Sequence, residues 1–228
     1  MADVEKDGMW QVRAMAWELL ALSFRYPTED LAEAVESGEW IDAAREIVKA
    51  LGAQMPIDWD ADFDSGDASD ADGGVAAELR SLRIEATRLF VGTPQPVVSP
   101  YESVWRAEDD GVQALLFVSP HAMEVERFMR SCALSRPENT NEPLDHIAAE
   151  CELLEYLAAA EAGLVNPSEG GGAWEGFPGG SPRAAYHQFL EEYARIWMPR
   201  FAEAVATASG LLVYRAAASV LTAMLQPA

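Results

Sequence analysis

Helical periodicity runs through almost the whole chain, and no stretch alternates apolar and polar residues for long enough to make a strand. Trp10, Ala14, Trp17, Ala21 and Phe24 recur at three- and four-residue steps, which predicts one apolar stripe on a first helix that Pro27 stops. Thr28 is placed to cap a second helix whose first turn holds Glu29 and Asp30, and a third is predicted over Trp40 to Leu51. Val75, Leu79, Leu82, Ala86 and Leu89 define the next. Ser119-Pro120 and Ser181-Pro182 are cap-and-first-turn pairs for two more, and Glu142-Pro143 opens one that runs to about Gly163. Pro199 ends or kinks the helix begun at Pro182, and Gly210 sets off a last one, Leu211 to Leu225.

The expectation is therefore an all-α fold, a single-domain bundle of about eight to ten helices. It covers residues 1–228, with a flexible acidic loop at 54–74 and a Gly/Pro-rich loop at 164–181. Three prolines in Thr93-Pro-Gln-Pro-Val-Val-Ser-Pro100 force extended or turn structure there. Seven aspartates lie between Asp58 and Asp72, and Asp60, Asp62 and Asp64 alternate as calcium-loop ligands do. That loop also needs Gly at its sixth position and Glu at its twelfth, where a frame begun at Asp60 has Ser65 and Ala71. The segment reads as a solvated acidic loop.

Charge narrows the partners. With 38 acidic residues against 16 basic, the formal charge is −22, which opposes nucleic acid and anionic membrane surfaces and favours a basic partner. The acidic start, Met1 to Gly8, does not resemble a signal peptide, and Gly210 and Arg215 interrupt the most apolar stretch, so no stable membrane insertion is expected. Cys132 and Cys151 form no CxxC pair, which suits a reduced, cytoplasmic protein.

Only three histidines are present, and none lies in HExxH, ExxH or a nucleophile-elbow pattern; Walker and GxGxxG loops are also missing. The chemistry-bearing stretch is Glu142-Pro-Leu-Asp-His-Ile-Ala-Ala-Glu150. On a helix turning about 100° per residue, His146, Glu150, Leu153 and Leu157 form one stripe beside the core stripe Ile147, Cys151, Leu154 and Ala158. Asp145 then falls in the first turn, where backbone N–H groups are free. One reading makes Asp145 a cap and His146–Glu150 a pair locking helix to helix, as in a structural adaptor. A second makes them the polar edge of an apolar groove. A third is a metal-dependent enzyme using His146 and Glu150, which still lacks a third ligand. In Ser99-Pro-Tyr-Glu-Ser-Val-Trp105, the aromatics Tyr101 and Trp105 suit a core lid and a ligand platform equally.

These segments resemble the TorD/DmsD/NarJ family of molybdoenzyme maturation chaperones. Arg13-Ala-Met-Ala-Trp-Glu-Leu-Leu20, Leu82-Arg-Ile-Glu-Ala-Thr-Arg-Leu-Phe90, Pro100-Tyr-Glu-Ser-Val-Trp105 and the 142–150 stretch occur in the family's order. Ala133-Leu134 stands where the family often has Gly-Leu, and Glu85-Ala86 where it has Glu-Tyr. The resemblance implies a helical cytoplasmic chaperone, not an enzyme. Its partner would be the twin-arginine leader peptide, and sometimes the body, of a molybdopterin oxidoreductase precursor, with export held back until the cofactor is loaded. It carries a binding surface onto Tyr101, Ser103, Trp105, Pro143, Asp145, His146 and Glu150.

Physical reasoning fits that role. Tyr101, Trp105, Leu153 and Leu157 would line a groove for an apolar helix, and Asp145 and Glu150 at its rim would meet the arginines. Some relatives contact a guanine nucleotide or molybdopterin; this sequence itself signals no cofactor. A monomer or a homodimer fits equally well.

Overall fold

The computed structural model describes residues 2–56, 58–64, 74–112, 119–134, 143–165 and 176–226. Its helices are α1 (Ala2–Phe24), α2 (Glu29–Ser37), α3 (Glu39–Leu51), the short α4 (Ala61–Asp64), α5 (Gly74–Ala86), α6 (Glu102–Asp109) and α7 (Pro120–Ser131). α8 (Ile147–Glu161), α9 (Pro182–Phe189), α10 (Arg195–Ala208) and α11 (Leu212–Met224) complete the set. Among the described residues there is no strand, only an isolated antiparallel bridge between Tyr101 and His146. The all-α expectation holds.

α8 is the axis of the bundle. Its sequence is apolar nearly all round, so it cannot lie on a surface. Ile147, Cys151, Leu153, Leu154, Leu157 and Ala158 are all buried, and Glu152 is the one residue of this helix that is exposed. α1 packs along α8 more extensively than any other pair of elements, and α9 covers another side. The buried indoles are satisfied as well as packed. Trp17 Nε1 donates to Tyr186 Oη at 2.8 Å and Trp40 Nε1 to Ser23 Oγ at 3.0 Å. At the end of α1, Phe24 meets Phe201 edge-on at 5.2 Å, and Phe90 meets Tyr214 at 5.7 Å.

Several boundaries differ from the sequence expectation. Thr28 has the extended backbone of an N-cap, but its side chain makes no capping bond, whereas Ser119 and Ser181 cap as expected, accepting from the N–H groups of His121 and Ala184. The helix expected from Glu142-Pro143 starts at Ile147 instead. Pro199 does not end the helix; it lies inside α10, five residues after a π-helical turn, Leu190–Ala194. Of the acidic loop, 58–64 holds α4, and Asp60 is tied to Arg45 at 2.7 Å. Residues 65–73 and 166–175, expected as loops, lie outside the described residues.

α5 also ends in a π turn, Thr87–Val91, closed by Gly92 N–H to Thr87 O at 2.8 Å. The chain then folds back, with Val98 N–H on Leu89 O at 2.8 Å. A Cβ at Gly92 would come 2.8 Å from the Gln95 carbonyl oxygen, so only glycine fits this reversal. Glu85 anchors the region to the α10–α11 corner, accepting from Gly210 N–H at 2.7 Å and Ser209 Oγ at 3.0 Å. The Arg88 guanidinium beside it, together with these donors, holds its carboxyl down to about 2.

α7 ends in a left-handed turn at Ala133 (φ 60°), with Leu134 N–H on Met129 O at 3.0 Å. A Cβ is disfavoured there, and Ala133 is exposed, so no packing offsets the strain. Ala133→Gly is expected to stabilise the fold by about 1 kcal/mol, raising the thermal midpoint by about 2–4 °C. A calorimetric melt showing no rise would refute this.

Candidate functional site

Two helix starts meet at the site. Tyr101 precedes α6 and His146 precedes α8, and both have extended backbones (φ −113°, ψ 127° and φ −76°, ψ 139°). A helix start leaves backbone N–H groups without intrahelical acceptors. Here each start supplies what the other lacks. Glu102 N–H donates to Asp145 O at 2.9 Å, and Ile147 N–H to Pro100 O at 2.8 Å. The Asp145 carboxylate accepts from Ser103 N–H at 3.0 Å, so it caps α6 rather than its own helix. His146 caps α8, its Nδ1 accepting from Ala148 N–H at 3.1 Å. That bond fixes the neutral tautomer with the proton on Nε2, and burial lowers the imidazole to about 4.

Beneath this junction lies a buried carboxyl cluster. Glu102 is 1% exposed, and Asp145 and Glu150 are fully enclosed. Arg106 Nη1 donates to Glu102 Oε1 at 2.8 Å and Trp197 Nε1 to Glu150 Oε2 at 3.1 Å. Burial pushes Glu102 up to about 7, and burial together with the Glu102 charge pushes Glu150 well above the usual carboxylate range. Asp145 is raised by burial, a shift that the Ser103 donors oppose. One guanidinium cannot compensate three enclosed carboxylates, so burial raises all three and favours a proton held between Glu102 and Glu150.

Above the junction is a cavity of about 300 Å³. Its walls are the end of α1 (Phe24, Arg25, Tyr26), the π turn (Phe90, Val91), Tyr101 and the 143–149 stretch, with Glu152 at the mouth. A second cavity of about 500 Å³ shares Phe90, Val91 and Tyr101 and runs on beneath Pro94, Pro96 and Val104. Tyr101 stands between them, its ring edge-on to His146 at 5.3 Å. Tyr26 and Val91 are more than half exposed beside this cleft, as is Val97 on the proline loop.

The sequence-derived surface is thus divided. Tyr101, Pro143 and His146 line the cleft. Asp145 and Glu150 were expected at a rim and are interior, because desolvated neighbours and backbone donors hold them there. Ser103, Leu153 and Leu157 are buried and line neither cavity. Trp105 faces away; its Nε1 donates to Ser99 O at 2.9 Å, and the Arg200 guanidinium covers its ring at 5.5 Å. His146 and Glu150 make no pair, and among the described residues no three His, Cys, Asp or Glu side chains are placed to hold a metal ion. Arg25, Tyr26, Val91 and Glu152 were not singled out from sequence.

Residues 37–203 match the family model described as nitrate reductase delta subunit, and the chain belongs to that family, the TorD/NarJ group it resembles in sequence. The chaperone protein TorD of Vibrio cholerae is 25% identical over 138 residues in a classical Ogawa strain and 26% identical in an El Tor Inaba strain. Each alignment covers 60% of this chain and 56% of the relative, so the chain spans little more than half the length of the curated relatives it matches. A crystal structure described as a candidate redox enzyme maturation protein from Archaeoglobus fulgidus shares the fold, with a TM-score of 0.52 and 19% identity, covering 92% of this chain and 91% of that one.

The buried groups give the fold opposed pH limits. Between about 4.5 and 7 the folded state holds a Glu102-cluster proton that the unfolded chain releases, so stability falls as pH rises through that window. Between 6.5 and about 4 the unfolded chain protonates His146 while the folded state does not, so stability falls as pH drops. Glu150→Gln keeps an acceptor for Trp197 and a donor for Glu102 without an ionisable group. It is expected to raise the thermal midpoint by several degrees at about pH 8 and little at about pH 5. Parallel melting curves for the two proteins across pH would refute the shared proton.

Proposed function

We propose that this protein is a maturation chaperone. It binds the twin-arginine leader of a molybdopterin-containing oxidoreductase subunit in the cytoplasm, assists cofactor insertion and delays export. The observation that carries the reading is the apolar cleft formed where the Pro100–Trp105 and Pro143–Glu150 segments meet, in a chain that belongs to the nitrate reductase delta subunit family. Matching relatives are named as the chaperone TorD, and the structural neighbour by its description as a maturation protein.

A leader of this kind offers two arginines and an apolar segment able to become helical. The apolar segment has a cleft of fitting character, bordered by Tyr101, Phe90, Val91 and Leu144. A net charge of −22 attracts the cationic part and speeds encounter. The carboxylate placed to meet a guanidinium is Glu152, 45% exposed at the cleft mouth, rather than the enclosed Asp145 and Glu150. Among the described residues no helix is long and apolar enough to cross a membrane.

Titration of a twin-arginine leader peptide by calorimetry is expected to give a Kd on the order of micromolar, an affinity that permits release. Val91→Asp, an exposed change at the cleft, should weaken binding about tenfold or more. Ile196→Asp, exposed on a residue that lines neither cavity, should not. Equal binding by both variants would move the site elsewhere, and absence of binding by the unaltered protein would overturn the reading.

A further inference from the structure

We propose, resting on the leader-binding reading, that Arg25 occupies the position a partner's guanidinium takes, so that binding is an exchange of one arginine for another on Glu152. Arg25 directly follows α1, its N–H on Ala21 O at 3.0 Å, and Pro27 turns the chain just beyond it. Its side chain crosses to α8 and pairs with Glu152. Both residues line the mouth of the apolar cavity, and both side chains are about half exposed, at 52% and 45%.

An ion pair this open to water holds its members weakly. Arg25 can swing into solvent without uncovering a buried charge. Glu155, on the same helix as Glu152, is raised by burial and by the charges of Glu18 and Glu152, and Arg25 is the group that counters them. A cation held at the cavity mouth therefore also offsets the acidic charge around Glu155. A planar guanidinium meets a carboxylate with two parallel donors, so an incoming arginine replaces Arg25 like for like, which an ammonium does less well.

Selectivity follows. A peptide that brings apolar surface and an arginine releases Arg25 and fills the cavity. A peptide that brings apolar surface alone must enter beside an Arg25 still held across the mouth. Arg25 is then a specificity-determining residue rather than a binding contact.

The test uses the full-length protein, Arg25→Gln, Glu152→Gln and the double variant. Each is titrated with a twin-arginine leader peptide and with the same peptide carrying Gln at both arginines. Arg25→Gln is expected to bind the arginine peptide about fivefold more tightly, and Glu152→Gln about fivefold more weakly with its preference for arginine lost. In the double variant the Arg25→Gln gain should vanish. Because both positions are exposed, thermal midpoints should agree within about 2 °C, which separates a binding effect from a folding one. Unchanged affinity in Arg25→Gln, or an arginine preference retained in Glu152→Gln, overturns the exchange while leaving the leader-binding reading intact. Failure of the unaltered protein to bind either peptide overturns both.

Discussion

The paired starts of α6 and α8 hold the site together. Neither helix could begin where it does alone, since each would leave N–H donors facing a dry interior, where an unsatisfied donor costs about 1–3 kcal/mol. The Tyr101–His146 bridge and the reach of Asp145 to Ser103 remove that penalty for both. They also fix what lies on either side. Below the junction, the carboxyls of Glu102 and Glu150 are brought face to face. Above it, Tyr101 and His146 meet edge to face and line the cleft.

The carboxyl cluster is a poor way to stabilise a fold, because taking charges out of water is expensive even when they are paired. What it supplies is direction. Trp197 of α10 donates to Glu150 of α8, and Glu150 meets Glu102 of α6, which Arg106 holds from within its own helix, so these contacts require the three helices to keep one mutual position. On the same flank Arg200 of α10 grips Asp109 at the end of α6 with two bonds, at 2.8 and 2.7 Å. The cleft therefore has a floor that polar contacts define, and walls that apolar packing defines.

The sequence revealed the architecture well and the site in part. Stripes such as Trp10–Phe24 and the serine-proline caps are local signals, and the helices they predict are present. Tyr101, Pro143 and His146 were legible because their segments carry unusual residue types near prolines. Asp145 was misplaced because its partner, Ser103, is remote in sequence, and a carboxylate that caps another helix looks the same as one that caps its own. Glu150 looked like a rim residue because the donor that holds it inward, the Trp197 indole, is remote in sequence. Trp105 looked like a partner of Tyr101, but the contacts that turn it away, from Arg200 and Ser99, include one that only the tertiary fold provides. Arg25 followed an apolar helix in a position where a solvated cation is unremarkable.

The cleft is walled by joints rather than by helix faces, and this decides what form a guest can take. Much of its backbone is already paired or lacks an N–H. Tyr101 and His146 bond to one another's segments, the π turn is closed on itself and on Val98, and Pro94, Pro96, Pro100 and Pro143 have no N–H to give. A guest that needs main-chain partners, as an added strand does, finds no edge here. A guest whose own backbone bonds are internal loses nothing on entering a space that offers rings, methyl groups and one exposed carboxylate. Such a lining fits the proposed leader better as a short helix with an apolar face and a cationic end than as an extended strand. That selection by conformation comes before any selection by side chain.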